Sequence, residues 1–118
     1  MQSDKPVPIL FRFGEAQFTE EGQKSVELLA QYLRLTHCNL ITLTGHADER
    51  GTADLNMDLS DQRLKAVWRF LRRAGYAGRV QLIPKGKSQP FTGVDRSNFP
   101  AEVLWQLDRR VELIARAN

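Results

Sequence analysis

LITLTGHADERGTADLNMDLSDQRLKAVWRFLRRAG, Leu40 to Gly75, carries the chain from one periodicity to another. Leu40 to Gly45 is apolar and β-branched, as a buried strand requires. From about Ala53 to Ala74 apolar residues return at helical spacing, and Gly75 supplies a stop. Between them lies ADERGTAD, a turn crowded with charge, in which Gly51 provides the backbone freedom that a reversal needs. A strand feeding a helix through a short turn is the unit of α/β architecture.

Working outward, VPILFRF (Val7 to Phe13) alternates Ile9, Phe11 and Phe13 against Leu10, Arg12 and Gly14. It reads as a strand with its phenylalanines turned to the core. Thr19 reads as the N-cap of a helix in which Val26, Leu29, Ala30 and Leu33 recur on one face. Glu20 and Glu21 complement its dipole, and Gly22 stands where a capping-box Glu would sit. Downstream, Val80 to Lys85 reads as a third strand and residues 86–100 as a loop rich in Gly, Pro and Ser. AEVLWQL reads as a short helix and Arg109 to Ala115 as a last strand. The order β-α-β-α-β-(loop/short helix)-β predicts an α/β (α+β) two-layer sandwich. Its four-stranded sheet is mixed, with helices packed on one face. Residues 1–7 read as a lead-in or linker and 8–118 as a single domain.

The 118 residues are 42% hydrophobic and 26% charged, with a net charge of +3. That suffices for a core without disulfide or metal staples, and the charge is too weak to argue for nucleic acid. The third strand carries no aromatic residue on which a base would stack, so no nucleic-acid partner is expected. Cys38, flanked by apolar residues, reads as a buried structural thiol. His46, Asp48 and Asp54 lack a further ligand at a recognised spacing, so no metal or cofactor is expected. His46 instead reads as a packing residue under the charged loop. Ser60 has no histidine partner at hand, and no enzyme is expected. No signal peptide or apolar run of transmembrane length is visible, which reads as a cytoplasmic protein or the soluble piece of a longer chain.

The helix after the charged turn holds an anomaly. Asp58, Asp61, Gln62, Lys65, Arg69, Arg72 and Arg73 form its solvated side, and Leu55, Leu59, Ala66, Val67, Phe70, Leu71 and Ala74 its apolar side. Asn56, Ser60 and Arg63, spaced i, i+4, i+7, project into the apolar stripe as one polar row. A buried guanidinium must be paired, and Asp48 is the first acid past the strand end. Two arrangements fit the spacing. Asp48 and Arg63 form a salt bridge pinning loop to helix, or they face each other across a cleft. In the cleft they bind the ammonium and carboxylate of a zwitterion. Asn56 and Thr52 would add neutral hydrogen bonds. Backbone N–H groups from Gly51 to Ala53, near the helix N-terminus, would favour a second carboxylate.

TGHADERGTADLNMDLSDQRLKAVWRFL resembles the signature of OmpA-like peptidoglycan-binding domains: a strand ending G-H-T-D, a glycine turn, L-N, L-S, then Arg and an apolar helix. The DERGT portion is similar to the lipoprotein (Pal-like) branch of that family. DRRVEL resembles its N-R-R-V-E strand, and ILFRFGEAQFTEEG its opening strand and helix start. The resemblance implies a periplasmic domain of a Gram-negative envelope protein, membrane-attached through a further segment. It would bind the peptidoglycan stem peptide non-covalently through meso-diaminopimelate. The family's ammonium-holding Asp falls on Asp48, its carboxylate-holding Arg on Arg63, its motif Asn on Asn56 and its turn Thr on Thr52. Four departures stand out. Arg12 and Gly14 occupy places where the family often carries Asp, so a contribution from Gly14 runs through its backbone, and Arg12 adds a cation to the rim. Ala47 replaces Thr. Asp108 replaces Asn and is expected to pair with Arg109 or Arg110. The stretch from Ser88 to Gln106 is long, and its aromatics Phe91, Phe99 and Trp105 are expected to form local core. These departures motivate an alternative: a scaffold for protein–protein contact in an envelope or secretion complex, with weak or lost peptidoglycan binding.

Overall fold

The computed structural model describes residues 7–117; residues 1–6 of the expected lead-in and Asn118 lie outside them. The elements are β1 (Ile9–Leu10), α1 (Glu20–Thr36), β2 (Leu40–His46), α2 (Ala53–Arg73), β3 (Arg79–Gly86), a 3-10 turn (Arg96–Asn98), α3 (Ala101–Asp108) and β4 (Arg110–Ala117). The sheet is mixed, in the order β1-β4-β2-β3. β2 runs parallel to β3 and antiparallel to β4, and β1 is antiparallel to β4.

Alternation along β2 decides the two faces. Ile41 and Leu43, both fully buried, join Ile9, Phe11 and Val111 beneath α1 and α2, where Val26, Leu29, Leu33, Leu64, Val67 and Leu71 complete the core. Thr42, Thr44 and His46 point the other way. Two glycines let the layers meet. A Cβ on Gly45 would stand 2.5 Å from the Ser60 carbonyl oxygen and 2.7 Å from Leu64 Cγ, so its absence lets α2 cross directly over β2. A Cβ on Gly22 would stand 2.0 Å from the Leu10 carbonyl oxygen. The missing capping-box Glu is therefore a packing requirement, and Thr19 caps α1 alone, accepting from Gly22 N–H at 2.9 Å.

Several expectations need correction. The first strand is far shorter than Val7 to Phe13. After Leu10 only Phe11 bridges, to Phe18, and the chain turns through Gly14 at φ +66°. That turn breaks the alternation, so Phe13 is 61% exposed rather than core. Leu55 is 67% exposed, because the first turn of α2 overhangs the sheet, and Ala74 is exposed at the helix end. Phe99 is exposed too, and Trp105 is engaged by charge instead of core. Asp108, buried, pairs with neither Arg109 nor Arg110 through its carboxylate. Its oxygens accept from Arg96 at 2.8 and 2.9 Å and from Phe91 N–H at 2.9 Å. That clamp, with Arg110 donating to the Gln89 carbonyl at 3.1 Å, ties the long loop to the end of α3 and the start of β4.

Candidate functional site

The polar row of α2 is buried, and each member fastens a different piece of backbone. Asn56 Nδ2 donates to the Arg50 carbonyl at 2.8 Å and the Asp48 carbonyl at 3.4 Å, which shapes the charged turn. Ser60 Oγ accepts from Gly86 N–H at 3.1 Å and donates to the Met57 carbonyl at 2.8 Å, fixing the end of β3. Arg63 is wholly buried and donates to three carbonyls: Glu15 at 3.0 Å, His46 at 2.9 Å and Arg12 at 3.0 Å. It thus gathers the turn after β1 and the end of β2 around one guanidinium. Burial, then the Arg109 charge, lower its pKa to about 10, so it stays charged at neutral pH.

Asp48 does not pair with Arg63. Its carboxylate is held by the Arg50 backbone N–H at 3.0 Å and by Arg50 Nε and Nη2 at 3.1 and 2.9 Å. Arg109 Nη1 adds a fourth bond at 3.2 Å. Burial pushes the Asp48 pKa up, but these hydrogen bonds outweigh it and hold the carboxyl below its ordinary range. Arg50 is in turn flanked by the rings of Phe13 and Trp105, each centroid 4.0 Å from its guanidinium carbon. Trp105 Nε1–H donates to Glu49 at 2.8 Å.

A hollow of about 360 Å³ opens beside these groups, bordered by Phe13, Gly14, Ala47, Asp48, Arg50, Gly51, Leu55, Asn56, Leu59 and Arg63 among others. Asp48, Arg63, Asn56, Gly14 and Gly51 therefore come together. Thr52, Ala53 and Arg12 do not border it. Thr52 Oγ1 caps α2 by accepting from Leu55 N–H at 3.2 Å, and the Arg12 side chain pairs with Glu15 at 3.7 Å. Both poles lie deeper than the sequence implied, Asp48 at 4% exposure and Arg63 at 0%, and the two-pronged grip assigned to Arg63 is spent on protein carbonyls. The guanidinium still faces the hollow as a buried positive charge, in surroundings where charge is poorly screened.

Sequence reasoning missed Arg50, Arg109, Phe13 and Trp105. Arg50 carried a local signal, since an Asp readily accepts from the N–H two residues on. Arg109 lies 61 residues from Asp48, and its place in DRRVEL gave no sign of that contact.

His46, 1% exposed, sits behind the site with Nε2 2.9 Å from Thr44 Oγ1. Burial first, then the Arg110 and Lys85 cations, hold its pKa down to about 3, against smaller opposing effects of Asp108 and the Gln89 carbonyl. Among the described residues no group of three or more His, Cys, Asp and Glu is placed to hold a metal ion, and no helix is long and apolar enough to cross a membrane.

Residues 10–98 match the OmpA family. The peptidoglycan-associated lipoprotein of Pseudomonas aeruginosa is 34% identical over 105 residues, which covers 87% of this chain and 58% of that protein. The chain thus spans under two thirds of the length of that relative. The crystal structure of the peptidoglycan-associated lipoprotein from Burkholderia pseudomallei superposes with a TM-score of 0.73 at 29% identity, over 91% of this chain and 87% of that one. The cell wall anchor of the T6SS from Pseudomonas aeruginosa gives a TM-score of 0.67 at 30% identity, over 92% and 76%.

Proposed function

The chain belongs to the OmpA family, and from that premise we propose that it binds peptidoglycan without catalysis and ties an envelope protein to the cell wall from the periplasm. The observation that carries this reading is the hollow bordered by both Asp48 and Arg63. The proposed ligand is the meso-diaminopimelate of the stem peptide. Its ammonium seeks Asp48. A carboxylate lies in the hollow over the buried Arg63 charge and is attracted by it, while Asn56 and the backbone at Gly14 and Gly51 shape the rim. A ligand lacking either charge leaves one pole without its counterpart and binds less well. The similarity to peptidoglycan-associated lipoproteins and to a cell wall anchor supports peptidoglycan association in general.

Pull-down by purified sacculi tests it. Asp48→Ala is expected to abolish sedimentation with the cell wall while the domain stays folded, and lysine-type stems are expected to bind less well than diaminopimelate-type stems. Unchanged sedimentation of a folded Asp48→Ala protein removes the site.

One observation favours a second reading, protein–protein contact in an envelope assembly: Arg50 and Arg109 already engage the Asp48 carboxylate. Titration with a diaminopimelate-containing stem peptide separates the two. Saturable binding supports the wall anchor, and none at millimolar ligand, by the unaltered protein or by Arg50→Ala, supports the scaffold.

A further inference from the structure

The Asp48 carboxylate already carries four donors. Oδ1 accepts two N–H groups of Arg50, and Oδ2 accepts one from Arg50 and one from Arg109. An ionised carboxylate offers about four acceptor sites, so an arriving ammonium meets a filled seat. The two arginines are not equally fixed. The Arg109 side chain is 13% exposed and also donates to the Phe11 carbonyl at 3.1 Å. The Arg50 side chain is 34% exposed and stands on the turn beside Gly51, whose φ is +89°. Besides Asp48, the Phe13 and Trp105 rings flank it and the Glu49 charge attracts it.

We propose that Arg50 is a tethered competitor: its guanidinium occupies the ammonium seat on Asp48 in the free protein, and a ligand gains that seat only by displacing it. This rests on the peptidoglycan-binding reading of the same hollow. The arginine pays part of the stabilisation of a buried Asp48 when no ligand is present, and this sets a threshold for binding. A lone weak cation does not cross it, because it must replace a bidentate, ring-stacked guanidinium. A ligand that also places a carboxylate over Arg63 brings a second interaction to the exchange. Phe13 and Trp105 set how firmly the competitor is seated.

Calorimetric titration with the tripeptide L-Ala-γ-D-Glu-meso-diaminopimelate tests the exchange, with far-UV circular dichroism confirming the fold of each variant. Arg50→Ala is expected to bind roughly tenfold tighter than the unaltered protein, and Phe13→Leu, which keeps Arg50 but opens its slot, by a smaller factor in the same direction. Binding by Arg50→Ala alone, with none detected for the unaltered protein, also supports the competitor. Equal or weaker binding by Arg50→Ala, beside measurable binding by the unaltered protein, overturns the competitor and leaves the wall-anchoring reading standing. Should Arg50→Ala not fold, Phe13→Leu decides alone, and equal or weaker binding by it overturns the proposal. If no folded protein in the series binds, the competitor and the wall-anchoring reading both fail.

Discussion

At the scale of single residues, two buried polar side chains do work that their chemistry alone does not reveal. Arg63 reads in sequence as one half of a pair with Asp48, yet its partners are three backbone carbonyls. Removing it leaves those carbonyls buried and unpaired, so Arg63→Ala is expected to destabilise the domain by about 3 kcal/mol or more in urea unfolding. Arg63→Lys is expected to recover little, because one ammonium does not span a planar fork. A loss below about 1 kcal/mol for Arg63→Ala would show that water replaces the guanidinium there. His46 makes a pH prediction. Its pKa falls from 6.5 to about 3 on folding, so between those values the unfolded chain binds the extra proton. Stability therefore rises with pH through that window and is lost as pH falls from 6.5 towards 3. At about 1.4 kcal/mol per unit the effect is on the order of 5 kcal/mol. His46→Gln is expected to flatten the acid limb of a stability-versus-pH curve above pH 4 or so, where Asp48, ionised down to lower pH, does not yet contribute. An unchanged acid limb would place the acid sensitivity elsewhere.

At the scale of elements, the two long helices depend on features written locally and on features written by their neighbours. Thr19 is an N-cap on sequence logic alone and accepts the expected backbone N–H, whereas Thr52, read in sequence as a ligand group, caps α2 instead. Thr52→Ala is expected to cost about 1 kcal/mol through the cap and to leave sacculus binding intact, since its hydroxyl is turned to the helix end. Loss of binding at unchanged stability would return Thr52 to the ligand. Gly45 is a different case. Its strand conformation suits any residue, and only the crossing of α2 forbids a side chain there. Gly45→Ala is expected to destabilise by about 2 kcal/mol or more, as overpacking against backbone does. Gly75→Ala, where φ is +97° and nothing lies within 4 Å, is expected to cost only the backbone strain of about 1 kcal/mol. Thermal or urea denaturation of the pair orders them, and the reverse order would mean that α2 shifts freely over the sheet.

At the scale of the whole molecule, the site depends on segments far apart in sequence converging at one corner of the sheet. The turn after β1 supplies Phe13 and Gly14, the β2–α2 loop Asp48 and Arg50, α3 Trp105 and the junction between α3 and β4 Arg109. The clamp of Arg96 on Asp108 holds the long loop against α3 and β4. Asp108→Ala is expected to release it, seen as faster tryptic cleavage after Lys87 and Arg96 with most of the helix signal retained. Resistance equal to that of the unaltered protein would show that Arg110 and Phe91 hold the loop unaided. Residues 40–75 carried the architecture legibly, because a strand period giving way to a helix period is a local pattern that burial enforces on every residue in the run. The same locality made the cap of α1, its core face and the polar row on α2 readable. It failed at Phe13, where a turn ended the alternation, and at Asp48, where two cations compete for one carboxylate. The sequence by itself determined which elements form, most of the faces they bury and, on α2, which polar residues enter the interior. Only the tertiary structure decided which charges meet. A hydrogen bond is satisfied by whichever donor arrives at the right distance and angle, and that depends on how distant segments pack and not on the periodicity of any one of them.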